Sequence, residues 1–112
     1  MLTTLILPRV EESHPHLRHI LTSLAYRYGG YTLTVGVGGW LHPDTGTLIE
    51  EPIVILEVLA DPFGEPARVF FRSLAAEAAH EFSQQSICLW FADADPEFIG
   101  PAPSPEPQGE QS

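Results

Sequence analysis

The chain has 112 residues, room for one domain with an ordinary core and too little for two. Its 15 acidic residues against 5 basic ones, all arginine, give a net charge of −10. That balance argues against a nucleic-acid backbone, which needs clustered Lys and Arg, and against an anionic membrane surface. The single cysteine, Cys88, allows no intrachain disulfide. No run approaches the roughly 18 apolar residues of a membrane span. Met1 to Val10 lacks a basic leader followed by a full apolar stretch, so no signal peptide is expected and the chain reads as cytoplasmic.

Leu2 to Leu7 is a short apolar run closed by Pro8, which predicts a strand. Pro15 suits a first helical turn, with Ser13 or His14 as its cap. Leu17, Ile20, Leu21, Leu24 and Tyr28 then form one helical stripe, and Gly29 and Gly30 end it. Tyr31 to Trp40 alternates as a strand, with Tyr31, Leu33, Val35 and Val37 on one face and Thr32, Thr34 and Gly36 on the other. The glycines of GVGG at 36–39 are expected to mark a bulge or twist near the hairpin end. They do not form a phosphate loop, because no helix or lysine follows.

HPDTG at 42–46 is turn chemistry, and a second strand returns from Leu48 to Leu59, closing a hairpin. DPFGEP at 61–66 reads as a loop, with Pro66 opening a second helix and Asp61 or Glu65 placing negative charge at its start. Phe71, Leu74, Ala75, Ala78 and Phe82 repeat the helical spacing, and Ile87 to Phe91 is a last strand. The order β-α-β-β-α-β predicts an α+β domain of ferredoxin-like type over residues 1–99: a four-stranded antiparallel sheet with two helices on one face. Residues 100–112, rich in proline and acid, read as a disordered tail. Half of the net charge lies in residues 93–112, which hold five acids and no base.

The strand patterns carry the functional reading. The strand around 53–58 offers Val54, Leu56 and Val58 to one face and Ile53 and Ile55 to the other. The last strand likewise offers Cys88 and Trp90 opposite Ile87, Leu89 and Phe91. Apolar residues on both faces predict burial on both sides. Ile53, Ile55, Trp90, Trp40 and Tyr31 are therefore the expected interface, covered by a second copy through the sheet face or by another protein. The alternative cover is this chain's own segment around Phe98 and Ile99.

Candidates for chemistry are sparse. Glu57 interrupts an apolar strand, which makes it a general-base candidate if buried and a rim carboxylate paired with an arginine otherwise. His42 is a second weak candidate. His14, His16 and His19 cluster, and His16 and His19 at i, i+3 share a helix face; they are weak metal candidates with no acidic ligand at helical spacing. Cys88, among apolar neighbours, reads as inert packing. No cofactor is expected.

Gly30 and Thr32, Gly38 and Trp40, Gly46 and Glu51, and Gln84 and Ser86 resemble the Gly-x-Thr, Gly-x-Trp, Gly-x-x-x-x-Glu and Gln-x-Ser elements of a small uncharacterised bacterial domain family. The resemblance spans a little over half of the chain and implies a fold without an activity. In outline, and over Gly29 to Gly38, the chain is also similar to PII-like signalling proteins, which are trimers that bind nucleotides between subunits. The basic residues that hold phosphates in such proteins have no counterpart here, so nucleotide binding is not expected. The leading expectation is a non-catalytic oligomerisation or protein-binding module. Its alternative is a small enzyme or ligand-binding protein of the dimeric α+β barrel type, with Glu57, His42 or Trp40 at its pocket. A third is an acidic inhibitor from a phage or mobile element.

Overall fold

A computed structural model describes residues 1–101; most of the tail expected over 100–112 lies outside the described residues. The elements run β1 (Leu2–Pro8), α1 (Pro15–Tyr28), β2 (Thr32–Leu41), β3 (Leu48–Leu59), α2 (Glu65–Glu81), β4 (Ile87–Phe91) and β5 (Glu97–Ile99). The strands form one antiparallel sheet in the order β2-β3-β1-β4-β5. The class is α+β, with two helices, as the sequence predicts. The four-strand count is corrected to five. Glu97–Ile99 pairs with β4 as an added edge strand instead of folding across the open sheet face.

The period-2 pattern of the strands decides the core. Leu5 and Leu7 of β1, Val54, Leu56 and Val58 of β3, and Ile87, Leu89 and Phe91 of β4 all point to the helix side and are buried. They meet Leu17, Ile20, Leu21 and Leu24 of α1 and Phe71, Leu74, Ala75 and Ala78 of α2, the two stripes of the sequence. Two ion pairs fasten the β5 end of the sheet to α2. Arg72 donates to both carboxylate oxygens of Glu97, at 2.9 and 3.1 Å, and Arg68 bonds Asp93 at 2.6 Å. Arg68 also lies over the rings of Phe63 and Phe91.

Helix ends follow local chemistry. His14 caps α1 by accepting the His16 N–H at its Nδ1, 3.1 Å away. At the other end Gly29 is left-handed, with φ +88°, and donates its N–H to the Ala25 carbonyl. A Cβ at Gly29 would meet nothing within 4 Å, so replacement carries only the backbone penalty. Gly29→Ala is therefore expected to lower stability by about 1 kcal/mol in a urea titration, with the slope unchanged.

The β2–β3 ladder runs without interruption from Thr32–Glu57 to Leu41–Leu48, so the bulge expected at 36–39 is absent. The glycines act through space instead. The Cβ that Gly38 lacks would come within 3.2 Å of Ile53 Cγ2, and that of Gly36 within 3.8 Å of Ile55 Cδ1. The close approach is at Gly38, where a missing Cβ leaves room for Ile53; at Gly36 a side chain would meet only an ordinary contact.

Candidate functional site

A groove of about 440 Å³ opens at the end of the sheet where α1 hands over to β2. Tyr28 and the Gly29–Gly30 turn form one wall, Tyr31 and Thr32 a second, and Leu2 with Leu59 a third. Glu57 of β3 lies on its floor. In register, Glu57 sits between Thr32 of β2 and Thr4 of β1, and Thr4 faces Trp90 of β4. The four residues make one row across the open face of the sheet. Tyr28 is held firmly: its ring stacks on Phe71 at 5.4 Å and 9°, and Phe70 packs edge-on at 6.0 Å.

Glu57 is the one formally charged side chain in the groove's lining. Glu57 is half-buried, and no arginine among the described residues pairs with it. The C-terminal end of α1, where the helix dipole is negative, faces the same space. Arg27, the basic residue of that last turn, lies over Phe70, its guanidinium 4.2 Å from the ring centre, and its Nε donates to the Tyr28 hydroxyl at 3.2 Å. The groove thus joins a carboxylate, helix-terminal carbonyls and two tyrosines without a basic side chain in its lining. Such a lining favours a cation with a flat or apolar body.

The other sequence candidates lie elsewhere. His42 begins the hairpin turn, where its Nδ1 accepts the Asp44 N–H at 3.2 Å and its ring stacks near Trp40. Nine residues of β2 separate that end from Thr32, about 30 Å at about 3.3 Å per residue, so His42 and Glu57 form no common site. Ile53, Ile55 and Trp90 line the open sheet face, Trp40 lies on the same side near the hairpin tip, and Tyr31 borders the groove. Cys88 is half-buried on that face, and burial pushes its thiol upward, away from the reactive thiolate.

His16 and His19 lie at the opposite end of α1 from the groove, rings 5.7 Å apart. No group of three or more His, Cys, Asp or Glu among the described residues is arranged to hold a metal ion. His16 packs its ring against Phe82, and its Nε2 is buried without a partner. Burial lowers its pKa from 6.5, helped by His19 and His14 and opposed by Glu81 and Glu77. The unfolded chain therefore takes up a proton near pH 6.5 and the folded chain only below it. The stability this histidine contributes is full above pH 6.5 and is lost as the pH falls through the folded value. The melting temperature is expected to fall as the pH drops below about 6.5, and to fall less in His16→Gln. Equal drops in both proteins would place the titration elsewhere.

The groove itself was only partly foreseen. Glu57 stood out as a charge in an apolar strand, and Tyr31 as an interface residue. Tyr28 read as core and Gly29–Gly30 as a helix stop. The signal that joins them is that a helix stop followed directly by an edge strand brings its last turn beside the neighbouring strand's end.

No protein-family model matches the chain, and no curated protein matches it. Among solved structures, it is similar to a phage SAM lyase in complex with S-methyl-5'-thioadenosine. The TM-score is 0.57 at 12% identity, covering 88% of each chain. A phage SAM lyase in its apo state is similar with a TM-score of 0.53 at 13% identity, covering 89% of this chain and 81% of that one. At this identity the likeness is one of fold. It still corrects the expectation of a non-catalytic module, which rested on the two-sided apolar sheet and the sparse candidates for chemistry, because chains of similar fold are enzymes. Among the described residues no helix is long and apolar enough to cross a membrane.

Proposed function

We propose that this chain is a small enzyme or ligand-binding protein of ferredoxin-like topology with an added edge strand, and that the Glu57 groove takes an adenosyl sulfonium such as SAM. The observation that carries this reading is that the one charged side chain in the groove's lining is a carboxylate, Glu57. Glu57 and the C-terminal end of α1 converge on the groove, two tyrosines flank it, and no basic side chain lines it. A sulfonium nucleoside matches each part: a positive sulfur for the carboxylate, a flat adenine for a tyrosine face, and hydroxyls for the exposed backbone of the glycine turn. No basic side chain lines the groove to hold a phosphate, and a nucleoside of this kind carries none.

A lyase reaction that releases S-methyl-5'-thioadenosine breaks the bond between sulfur and the γ-carbon of the aminobutyrate chain. Sulfur keeps the electron pair and passes from cation to neutral thioether, while the substrate's own carboxylate oxygen bonds to that carbon and closes a five-membered lactone, so that no water or proton is consumed. Glu57 would hold the charged reactant and release the neutral product, and the apolar walls of Leu2 and Leu59 would limit water around the sulfur. The fold likeness to a SAM lyase supports the same substrate class. Calorimetric titration with SAM and with S-methyl-5'-thioadenosine, joined to chromatographic analysis of the mixture after incubation, tests the reading. Binding of SAM in the micromolar range, with or without turnover, is expected. Absence of both binding and product would refute it.

A further inference from the structure

We propose that the open sheet face and the outer part of the β2–β3 hairpin bind a second copy of this chain. The inference rests on where apolar surface lies, and the groove opens on the border of the same face, sharing Leu2 and Leu59 with it. β1 pairs with β3 only from Ile53 to Leu59, whereas β2 follows β3 out to Leu41–Leu48. Beyond Ile53 the hairpin is thus a two-stranded arm with no third strand beside it, an arrangement that is marginal in water by itself. Its exposed large side chains are apolar on both sides: Val37 is 69% exposed, Leu41 65% and Leu48 59%, all on the helix side with Glu50 between them, and Trp40 is exposed on the other side near Glu51.

The rest of the bare surface continues from the arm. Of the thirteen exposed large apolar side chains, only Tyr26 and Val69 lie on helices; the others lie on strands or, for Tyr31, at the start of β2. Phe98, 71% exposed, and Trp90 extend the open face to its far edge, past half-buried Ile6, Ile55 and Cys88. Counting only the arm's Val37, Leu41 and Leu48 and the open face's Leu2, Trp40, Leu59, Trp90 and Phe98, at roughly 150–200 Å² per fully exposed side chain, on the order of 800 Å² is bare on one copy, comparable with the about 800 Å² per partner of a standard interface.

The edge strand β2 has none of the devices that protect an edge. Its ten residues hold no charge and no proline. All five arginines lie outside β2 and β3, and the only charges on those strands are Glu50, Glu51 and Glu57.

A second copy is the occupant that covers both surfaces. One chain carries a projecting apolar arm and an apolar floor. In a closed symmetric assembly each copy gives an arm and receives one, so both are buried in equal number. A different partner seated on the floor would leave the arm bare. The C-terminal segment does not serve either, since Glu97–Ile99 pairs beside β4 and leaves Phe98 exposed.

Light scattering coupled to gel filtration on the full chain tests this. A mass of at least twice 12.3 kDa is expected. The double variant Val37→Glu/Leu41→Glu is expected to run at one chain's mass with unchanged circular dichroism. Val69→Glu, on the outer face of α2, should keep the native mass. If the double variant loses its dichroism signal, Phe98→Glu at the other edge of the face carries the test with the same expected dissociation. A native mass of 12.3 kDa, or folded variants that keep the assembly, would overturn the proposal.

Discussion

Glu57→Gln is expected to weaken binding of SAM about tenfold or more while leaving S-methyl-5'-thioadenosine within about twofold of the native value. The asymmetry follows from charge. Glutamine keeps the size of the side chain and a hydrogen-bonding oxygen but removes the negative charge. Glu57 has no arginine partner among the described residues to compensate it, so its charge is available to a ligand. A charged contact in a half-buried site is worth about 1.5–3 kcal/mol, and 1.4 kcal/mol is one decade in affinity. The neutral thioether gains nothing from the carboxylate and loses nothing with it. Equal losses for both ligands would mean that Glu57 acts on the shape of the groove and not on charge. No change for either would move the site away from this groove. Titration calorimetry of the two ligands against native and variant protein reads all of these outcomes. The helix-terminal carbonyls of α1 remain in the variant, so residual preference for the cation is expected.

Much of the fold is legible in the sequence because its elements obey simple periods. Leu17, Ile20, Leu21 and Leu24 repeat at helical spacing, and all four are buried against the sheet. The alternation at 53–58 assigns Val54, Leu56 and Val58 to the core and Ile53 and Ile55 to the open face, as the structure has it. β5 escaped because three residues behind Pro96 are too few to show a period. It is held by the Arg72–Glu97 pair as well as by its ladder, a long-range contact that no local pattern records. The glycines at 36–39 misled for a related reason. A glycine that turns the backbone and one that makes room for a cross-strand isoleucine read alike until the register places Ile53 opposite Gly36, from where its Cγ2 reaches diagonally over Gly38. The site was harder still. Glu57 was visible as an anomaly, but its partners Tyr28 and Gly29 come from the far end of α1, brought beside it only by the packing of that helix on the sheet.

The largest stability effect is expected at Phe71, where core and groove share a support. Phe71 is fully buried on α2, edge-on to Phe91 at 6.1 Å and Phe70 at 5.4 Å, and stacked under Tyr28. Phe71→Ala removes a ring from the middle of this cluster and is expected to cost about 3–5 kcal/mol, the sum of lost transfer energy and the cavity left behind. That is a large part of the roughly 5–15 kcal/mol that holds a domain together. The urea midpoint should fall with the slope unchanged. Phe71→Leu refills much of the volume and is expected to recover more than half of the loss. The two variants also separate stability from function. Leucine keeps the core apolar but offers Tyr28 no flat face, so the tyrosine wall of the groove loses its stacking partner. At temperatures where Phe71→Leu is fully folded, its affinity for SAM should be several-fold weaker than native. Native affinity in that variant would show that Tyr28 holds its position without Phe71, and that the groove wall is fixed by the Gly29–Gly30 turn.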